Sequence, residues 1–123
     1  MQKDLSIIKH IEKYCAEIKQ ELSEISCDKE VFWKSSVYRN SLALCVLQIG
    51  ELVGLLSDDF KKSHPDIDWR NIKAMRNIVA HKYGTFDFDV LWETVTENIP
   101  ELQAFCEKEL SEQSLTSAQS PKN

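Results

Sequence analysis

The segment from residue 64 to residue 102 reads HPDIDWRNIKAMRNIVAHKYGTFDFDVLWETVTENIPEL, and its capping residues predict a loop followed by two helices. Asp68 is a suitable N-cap for a helix from Trp69 to about His81, because its carboxylate can accept hydrogen bonds from the free amides of the first turn. Asp87 can cap the next helix in the same way. Pro100 has no amide hydrogen, so it must kink or restart that helix.

The first half of the chain predicts two longer helices. Apolar side chains recur every three or four residues, the period of an amphipathic helix of about six turns: Leu5, Ile8, Ile11, Cys15, Ile18, Leu22 and Ile25. A second helix is predicted from about Lys29 to Leu56, and from Leu42 onward it is almost wholly apolar, which is typical of a bundle centre or an oligomer interface. Since short connections place neighbouring helices antiparallel, we expect an all-α fold, an up-down bundle of four to five helices.

The composition favours one helical domain. The chain has 123 residues, of which 42% are hydrophobic and 28% charged, ordinary values for a globular protein. Three Gly and three Pro are too few for the many tight turns of a β-sandwich. Residues 1–110 are expected to form the bundle, and residues 111–123, with Leu115 as their one large apolar residue, are expected to form a disordered tail.

No segment of the sequence predicts a membrane span or a metal site. The longest apolar stretch is shorter than the roughly 20 residues that a bilayer requires, and the N-terminus lacks a signal-peptide core. The four cysteines form no C-x-x-C pair, and none has a histidine at zinc-ligand spacing. We therefore expect a cytosolic protein with reduced thiols, no bound metal and no cofactor.

The charge distribution indicates a small anionic target. The net charge is −5, which argues mildly against a protein that coats nucleic acid. Between Phe60 and Tyr83, however, the sequence has six basic residues and only two aspartates. The basic residues are Lys61, Lys62, Arg70, Lys73, Arg76 and Lys82. A locally basic surface on an acidic protein suits a few phosphates, although an ordinary solvated helix face would look the same.

Arg76 does not fit a plain amphipathic helix. On a helical wheel of about 100° per residue it lies within the apolar arc, seven positions from both Trp69 and Tyr83. Such a charge must be paired or must face a functional pocket. Asn77 and His81 share a second face about 140° away, so Arg76 and His81 can meet at one phosphate only if the last turn loosens or a second subunit contributes.

Glu51 is the expected partner of Arg76. Gln48 and Glu51 are the only strongly polar residues in the apolar part of the second helix. A carboxylate in such an apolar run requires a partner. Two interpretations follow. The ion pair either fixes helix packing alone, with His81 an ordinary surface histidine, or it holds Arg76 in a functional site.

Several elements, in this order, resemble the HEPN toxins of the HepT type. They are the Ile49-Gly50-Glu51 triplet, a His-Pro-x-Ile-x-Trp motif from His64, an Arg-Asn-x3-His-x-Tyr motif from Arg76, and a Trp-containing helix ending in Pro-Glu-Leu at Leu102. The resemblance covers roughly residues 37–110. One departure is Lys82, where many relatives have glycine, and this weakens any inference about the geometry of that loop.

The resemblance implies a fold, an activity and a partner. HEPN toxins are helical bundles that dimerise, and many are metal-independent endoribonucleases with their Arg-x4-His motifs facing a shared cleft. Toxins of the HepT type are paired with a minimal nucleotidyltransferase antitoxin, which can transfer AMP to the motif tyrosine in a type VII-like toxin–antitoxin system. Carried over to this chain, the resemblance makes Arg76 and His81 the catalytic pair, Asn77 a supporting residue and Tyr83 the AMP acceptor. The residues themselves add Glu51 as a supporting partner of Arg76, and Arg70, Lys73 and Lys82 as candidate contacts for RNA or phosphate.

Other interpretations remain open from the sequence. The domain could be a noncatalytic module that binds a nucleotide or a partner protein, or it could be the inhibitor of a pair rather than the toxin. Tyr83 could simply pack on the apolar arc of its helix. Trp33, Trp69 and Trp92 could stack on bases, but tryptophans at helical spacing among aliphatic residues belong more often to the core. His64 is expected to be structural.

Overall fold

The computed structural model describes residues 2–83, 85 and 87–119, with side chains described from residue 3 to residue 113 apart from the same gaps. Seven α-helices and no strand occur in this part of the chain. They are α1 (Gln2–Glu24), α2 (Lys29–Lys34), α3 (Ser36–Leu55), α4 (Asp58–Ser63), α5 (Trp69–Lys82), α6 (Phe88–Glu93) and α7 (Ile99–Gln119). The all-α bundle expected from the sequence is confirmed.

Side-chain caps set the start of most of the shorter helices. Asp68 accepts a hydrogen bond from the amide of Asn71 at the start of α5, and Asp87 accepts one from the amide of Asp89 at the start of α6. Both caps were expected from the sequence and are confirmed. Because Asp68 fixes the start of α5, the register of the segment that contains Arg76 and His81 is set locally.

The prediction of one continuous helix from Lys29 to Leu56 is wrong, because the chain breaks at Ser35. Its backbone is extended (φ −107°, ψ 105°), and its N–H bonds to the carbonyls of Val31 and Phe32 at the end of α2. Its hydroxyl accepts a hydrogen bond from the amide of Tyr38 at the start of α3. One serine thus ends one helix and caps the next, which a hydroxyl near the backbone can do in competition with helix propagation.

The core lies between α1, α3 and α7, and α5 packs on α3. Ile8, Ile11 and Leu42 are among the residues that are completely buried, as the apolar periodicity predicted. Helix α3 is not buried on every side, however, because Leu44 is 55% exposed and Leu55 is 60% exposed. One face of α3 is therefore buried in the centre of the bundle, while its outer face carries exposed apolar side chains.

The helix containing Pro100 changes its winding immediately before that residue. A π-helical segment, Thr94–Asn98, joins α6 to α7, in agreement with the expected kink or restart. Helix α7 then continues to Gln119, past the predicted end of the domain at residue 110. Residues 111–119 contain neither Pro nor Gly, so nothing in them stops the helix from propagating. Residues 120–123 of the expected tail lie outside the described residues.

The buried carboxylate of Asp4 links the start of α1 to the start of α4 through hydrogen bonds. Asp4 is 4% exposed and accepts hydrogen bonds from the backbone amide of Ser57 at 2.9 Å and from its hydroxyl at 2.8 Å. The bond from this amide lowers the pKa of Asp4, although burial opposes it. Among the described residues, no helix is long and apolar enough to cross a membrane.

Candidate functional site

A glycine brings α5 unusually close to α3 at Arg76. A Cβ atom placed on Gly50 would lie 2.2 Å from the Cβ of Arg76 and 2.6 Å from its Cγ. Both distances are far below an ordinary carbon–carbon contact of about 3.5–4.0 Å. Only a residue without a side chain can therefore occupy position 50. The close approach of α5 places Arg76 beside Glu51, the next residue of α3.

The guanidinium of Arg76 is held by two neighbours. Its Nε and Nη2 both contact Oε1 of Glu51, the partner that the sequence indicated. Its Nη1 donates a 2.9 Å hydrogen bond to Oδ1 of Asn77. The side chain of Arg76 is 31% exposed and that of Glu51 is 48% exposed, so the pair lies at the surface of the α3–α5 junction and not in the core.

His81 lies on the same helix but on another face. It is exposed in the last turn of α5, four residues after Asn77. Helix α5 stays helical through Lys82, so its last turn does not loosen to bring the imidazole round to Arg76. Within the described residues, no hydrogen bond joins the two side chains, and one chain alone does not bring them together.

Tyr83 leaves the helix and returns to α3. Its backbone is extended (φ −60°, ψ 133°), and its hydroxyl donates a hydrogen bond to Oδ1 of Asn40. Its ring lies edge-on to Phe88, with 5.9 Å between the ring centroids. Partial burial raises the pKa of Tyr83, and the nearby charge of Arg39 opposes that shift. Tyr83 remains 38% exposed, so it does not pack on the apolar arc of its helix.

Arg39 is a component of the site that the sequence argument missed. Its guanidinium carbon lies 4.9 Å from the centroid of the Phe88 ring, within the range of a cation–π contact. Its Nη1 donates to the backbone carbonyls of Phe32, at 3.4 Å, and Trp33, at the end of α2. The available signal was its isolation, because it is the one basic residue between Lys34 and Lys61.

The profile of the family described as Ribonuclease HepT-like matches residues 11–109. The chain belongs to this HepT-like ribonuclease family. The match covers the α3–α5 junction and the whole of α5, where the geometry described above is concentrated.

Individual relatives from archaea and bacteria agree with the family. A protein of Thermococcus cleftensis named Probable ribonuclease HepT is 45% identical over 60 residues, which cover 49% of this chain and 54% of that protein. A protein of Caldanaerobacter subterraneus subsp. tengcongensis named as a candidate RNase is 30% identical over 96 residues, 78% of this chain and 84% of that protein. The chain thus spans about half the length of the Thermococcus relative and most of the Caldanaerobacter one. No solved structure matches it.

Basic side chains extend the Arg-Asn-x3-His motif of this HepT-like chain along α5. Arg70 and Lys73 are exposed and, at about 100° per residue, share the face of Asn77 and His81. Lys82 is exposed as well but lies roughly 100° to one side of His81. The expected contacts for an anionic ligand are therefore available at the surface, two of them in line with the histidine.

A large open cavity of this HepT-like chain lies away from these residues. It measures about 740 Å³ and opens between the loop around His64, the start of α5 and α7. His64 is fixed beside it, with Nδ1 3.0 Å from the carbonyl of Phe60 and Nε2 3.0 Å from Oε1 of Glu109. This contact supports the expected structural role of His64.

The three tryptophans do not share one environment. Trp69 and Trp92 are partly buried and pack against the core, as expected. Trp33 is 46% exposed, so the core interpretation is wrong for it. It lies at the end of the short helix α2, and the break at Ser35 that was not foreseen leaves its ring at the surface.

Proposed function

We propose that this chain is the toxin of a toxin–antitoxin pair and a metal-independent endoribonuclease, with Arg76 and His81 as its catalytic residues. The observation that carries the proposal is the arrangement at Arg76, in a chain that belongs to the HepT-like ribonuclease family. The guanidinium is oriented by Glu51 and Asn77 and still partly exposed. The exposed His81 follows on the same helix.

The oriented guanidinium retains donors for a phosphate. Arginine carries five N–H groups, one on Nε and two on each terminal nitrogen. Glu51 and Asn77 engage three nitrogens, which leaves one N–H on Nη1 and one on Nη2. These two donors suit the oxygens of a phosphodiester and the charge that develops on them in the transition state.

The proposed chemistry uses the nucleophile that RNA supplies itself. The 2′-hydroxyl loses its proton to one histidine and attacks the adjacent phosphorus, while a second histidine protonates the departing 5′-oxygen. Histidine can fill both roles near neutral pH. The products are a 2′,3′-cyclic phosphate and a 5′-hydroxyl. Arg70 and Lys73 would contact flanking phosphates on the same face of α5, and Lys82 would do so from its side.

A second copy of the chain completes the site in this proposal. One chain leaves Arg76 and His81 on faces about 140° apart along a regular helix, and it offers one histidine where two are needed. The outer face of α3 supports the same idea. Val37, Leu44 and Leu55 are 73%, 55% and 60% exposed and share that face with Glu51. An apolar stripe of this kind next to the site is suited to association with an identical copy.

The proposed regulator is a minimal nucleotidyltransferase antitoxin that transfers AMP to Tyr83. The phenol is 38% exposed and lies two residues after His81, within reach of a second protein. The added phosphate and nucleoside would introduce negative charge and bulk beside the catalytic residues, and both would oppose the approach of RNA. Mass spectrometry of the chain after co-expression with this antitoxin tests the step, and an unmodified Tyr83 in a neutralised toxin would contradict it.

One observation favours the noncatalytic alternative. The Arg76–Glu51 pair forms within a single chain, as an ion pair that only fixes helix packing would. In that case the domain would bind a nucleotide or a partner without cutting RNA, and His81 would be dispensable.

A growth assay with analysis of RNA ends separates these functions. Wild type, Arg76→Ala, His81→Ala and the matched control His10→Ala, an exposed histidine on α1, are each expressed alone. We expect growth arrest and 2′,3′-cyclic phosphate ends with wild type and His10→Ala only, and cleavage by the purified protein that persists in EDTA. Equal harmlessness of all four would support the binding module, and loss of cleavage in EDTA would refute the metal-free mechanism.

A further inference from the structure

Asn40 lies opposite the end of the Arg-Asn-x3-His-x-Tyr motif. It is an exposed residue in the second turn of α3, and its Oδ1 accepts the hydrogen bond from the hydroxyl of Tyr83. The two residues are 43 positions apart in sequence, so the contact depends on how α3 and the end of α5 pack together. A phenol has one hydrogen to donate, and here it points at an uncharged amide oxygen.

We infer that Asn40 is a positioning residue for reactions at the Tyr83 oxygen. It accepts the hydrogen bond from the hydroxyl, and the lone pairs of that oxygen are then directed away from the Asn40 side chain. Phe88 supports the same orientation from the side of the ring, at 5.9 Å between centroids. Arg39 faces Phe88 at 4.9 Å and places a positive charge near the phenol. Phe88 thus holds the ring of Tyr83, while Asn40 fixes the direction of its hydroxyl hydrogen.

For the reaction itself, the inference rests on the proposed function. A bond forms between the Tyr83 oxygen and the α-phosphorus of a nucleoside triphosphate held by the transferase, and the bond from that phosphorus to the pyrophosphate oxygen breaks. The electron pair leaves with pyrophosphate. The phenol hydrogen goes to a base of the transferase or to water, because an amide oxygen such as that of Asn40 is too weak a base to keep it.

The same side chain can serve the modified state. The phosphate ester of Tyr83 has no hydrogen, so it can no longer donate to Oδ1 of Asn40. An asparagine amide can turn and offer its Nδ2 hydrogens to a phosphate oxygen instead. An aspartate at position 40 could hold the free phenol equally well, but it would repel the incoming phosphate and could not donate to the product.

The contact is tested on the full-length, unmodified protein by titration of its tyrosines. Tyrosine labelled with ¹³C at the ring carbon bearing the hydroxyl gives one NMR signal for each tyrosine, and Tyr83→Phe assigns the relevant one. We expect Asn40→Asp to raise the pKa of Tyr83 by about one unit, since a carboxylate disfavours the nearby phenolate. We expect Asn40→Ala to lower it, since the acceptor for the neutral phenol is lost. Asn71→Ala, an exposed asparagine at the start of α5, is the matched control and leaves it unchanged.

The positioning role is tested by the rate of AMP transfer from ATP by the antitoxin, followed by intact mass. We expect Asn40→Ala to lower kcat about tenfold with little change in the KM for ATP, because the nucleotide is bound by the transferase, and Asn40→Asp to lower it further. A Tyr83 titration that is identical in all variants overturns the contact. A wild-type transfer rate in Asn40→Ala overturns the positioning role. Failure of the wild type to accept AMP refutes the proposed modification and this role with it, while the titration still decides the contact.

Discussion

The close approach of α3 and α5 at Gly50 gives a sharp test of the proposed site. Replacement of Gly50 by alanine would put a Cβ atom 2.2 Å from the Cβ of Arg76 and 2.6 Å from its Cγ. These atoms are the root of the arginine side chain, so they cannot move aside without a shift of α5. Restoring ordinary contacts of about 3.5–4.0 Å requires α3 and α5 to separate by roughly 1–2 Å.

We expect Gly50→Ala to be destabilising by about 1–3 kcal/mol. Overpacking of a closely packed contact costs about 1–3 kcal/mol, and the shift also displaces Arg76 from Glu51. The expected destabilisation already subtracts the gain of about 1 kcal/mol from the better helix propensity of alanine. RNA cleavage by the purified protein should fall more than stability alone explains, because a displacement of about 1 Å can cost 100-fold in rate.

Gly54→Ala is the matched control. Gly54 lies on the same helix, one turn further on, and a Cβ atom there would have no neighbour within 4 Å. This variant should gain stability, by up to about 1 kcal/mol, from the better helix propensity of alanine. Urea denaturation at fixed protein concentration, with equal m-values, measures both changes. If Gly50→Ala is as stable and as active as Gly54→Ala, the close approach does not set the position of Arg76 and the reasoning is refuted.

Three further changes test other parts of the structure. Glu51→Gln should cost no more than about 1 kcal/mol of stability, because the Arg76 pair is half exposed, while RNA cleavage falls several-fold; a loss of several kcal/mol would instead indicate a purely structural pair. Asp4→Asn should cost about 2 kcal/mol at pH 7 through the bonds from Ser57. Since folding lowers the pKa of Asp4, its contribution is present above the unfolded value of 3.8 and is lost as the pH falls through the lower, folded value. In urea denaturation, the wild type and Asp4→Asn should therefore converge in stability below that value, and a difference that is independent of pH would contradict this. Ser35→Ala should cost about 1 kcal/mol, measured by thermal denaturation, and an unchanged midpoint would mean that the hydroxyl is not the cap of α3.

The sequence predicted best the features that depend on near neighbours. Asp68 and Asp87 cap their helices through amides two or three residues away, so the pattern of residue types was sufficient. The pairing of Glu51 with Arg76 spans 25 positions, but each residue is a charge in an apolar environment, and this made each the most plausible partner of the other.

The features that were missed depend on competition or on distant packing. Ser35 could have stayed within a helix, because a serine is tolerated there, and its hydroxyl caps α3 instead. The contact between Asn40 and Tyr83 was missed because no pattern in the sequence marks Asn40, although Tyr83 belongs to the motif. The helical residues 111–119 follow from the absence of a stop signal, which is weaker evidence than a cap.

Helix α3 fixes both ends of the Arg-Asn-x3-His-x-Tyr motif. Asn40 and Glu51 are eleven residues apart and so share one face of α3, about 16 Å from each other at about 1.5 Å per residue. Glu51 holds Arg76 at one end of the motif, and Asn40 holds Tyr83 at the other. His81 lies between these two anchors and is exposed. Modification of Tyr83 and Tyr83→Phe would both remove the hydrogen bond to Asn40, but only the modification adds charge and bulk, so its effect on the orientation of His81 should exceed that of Tyr83→Phe.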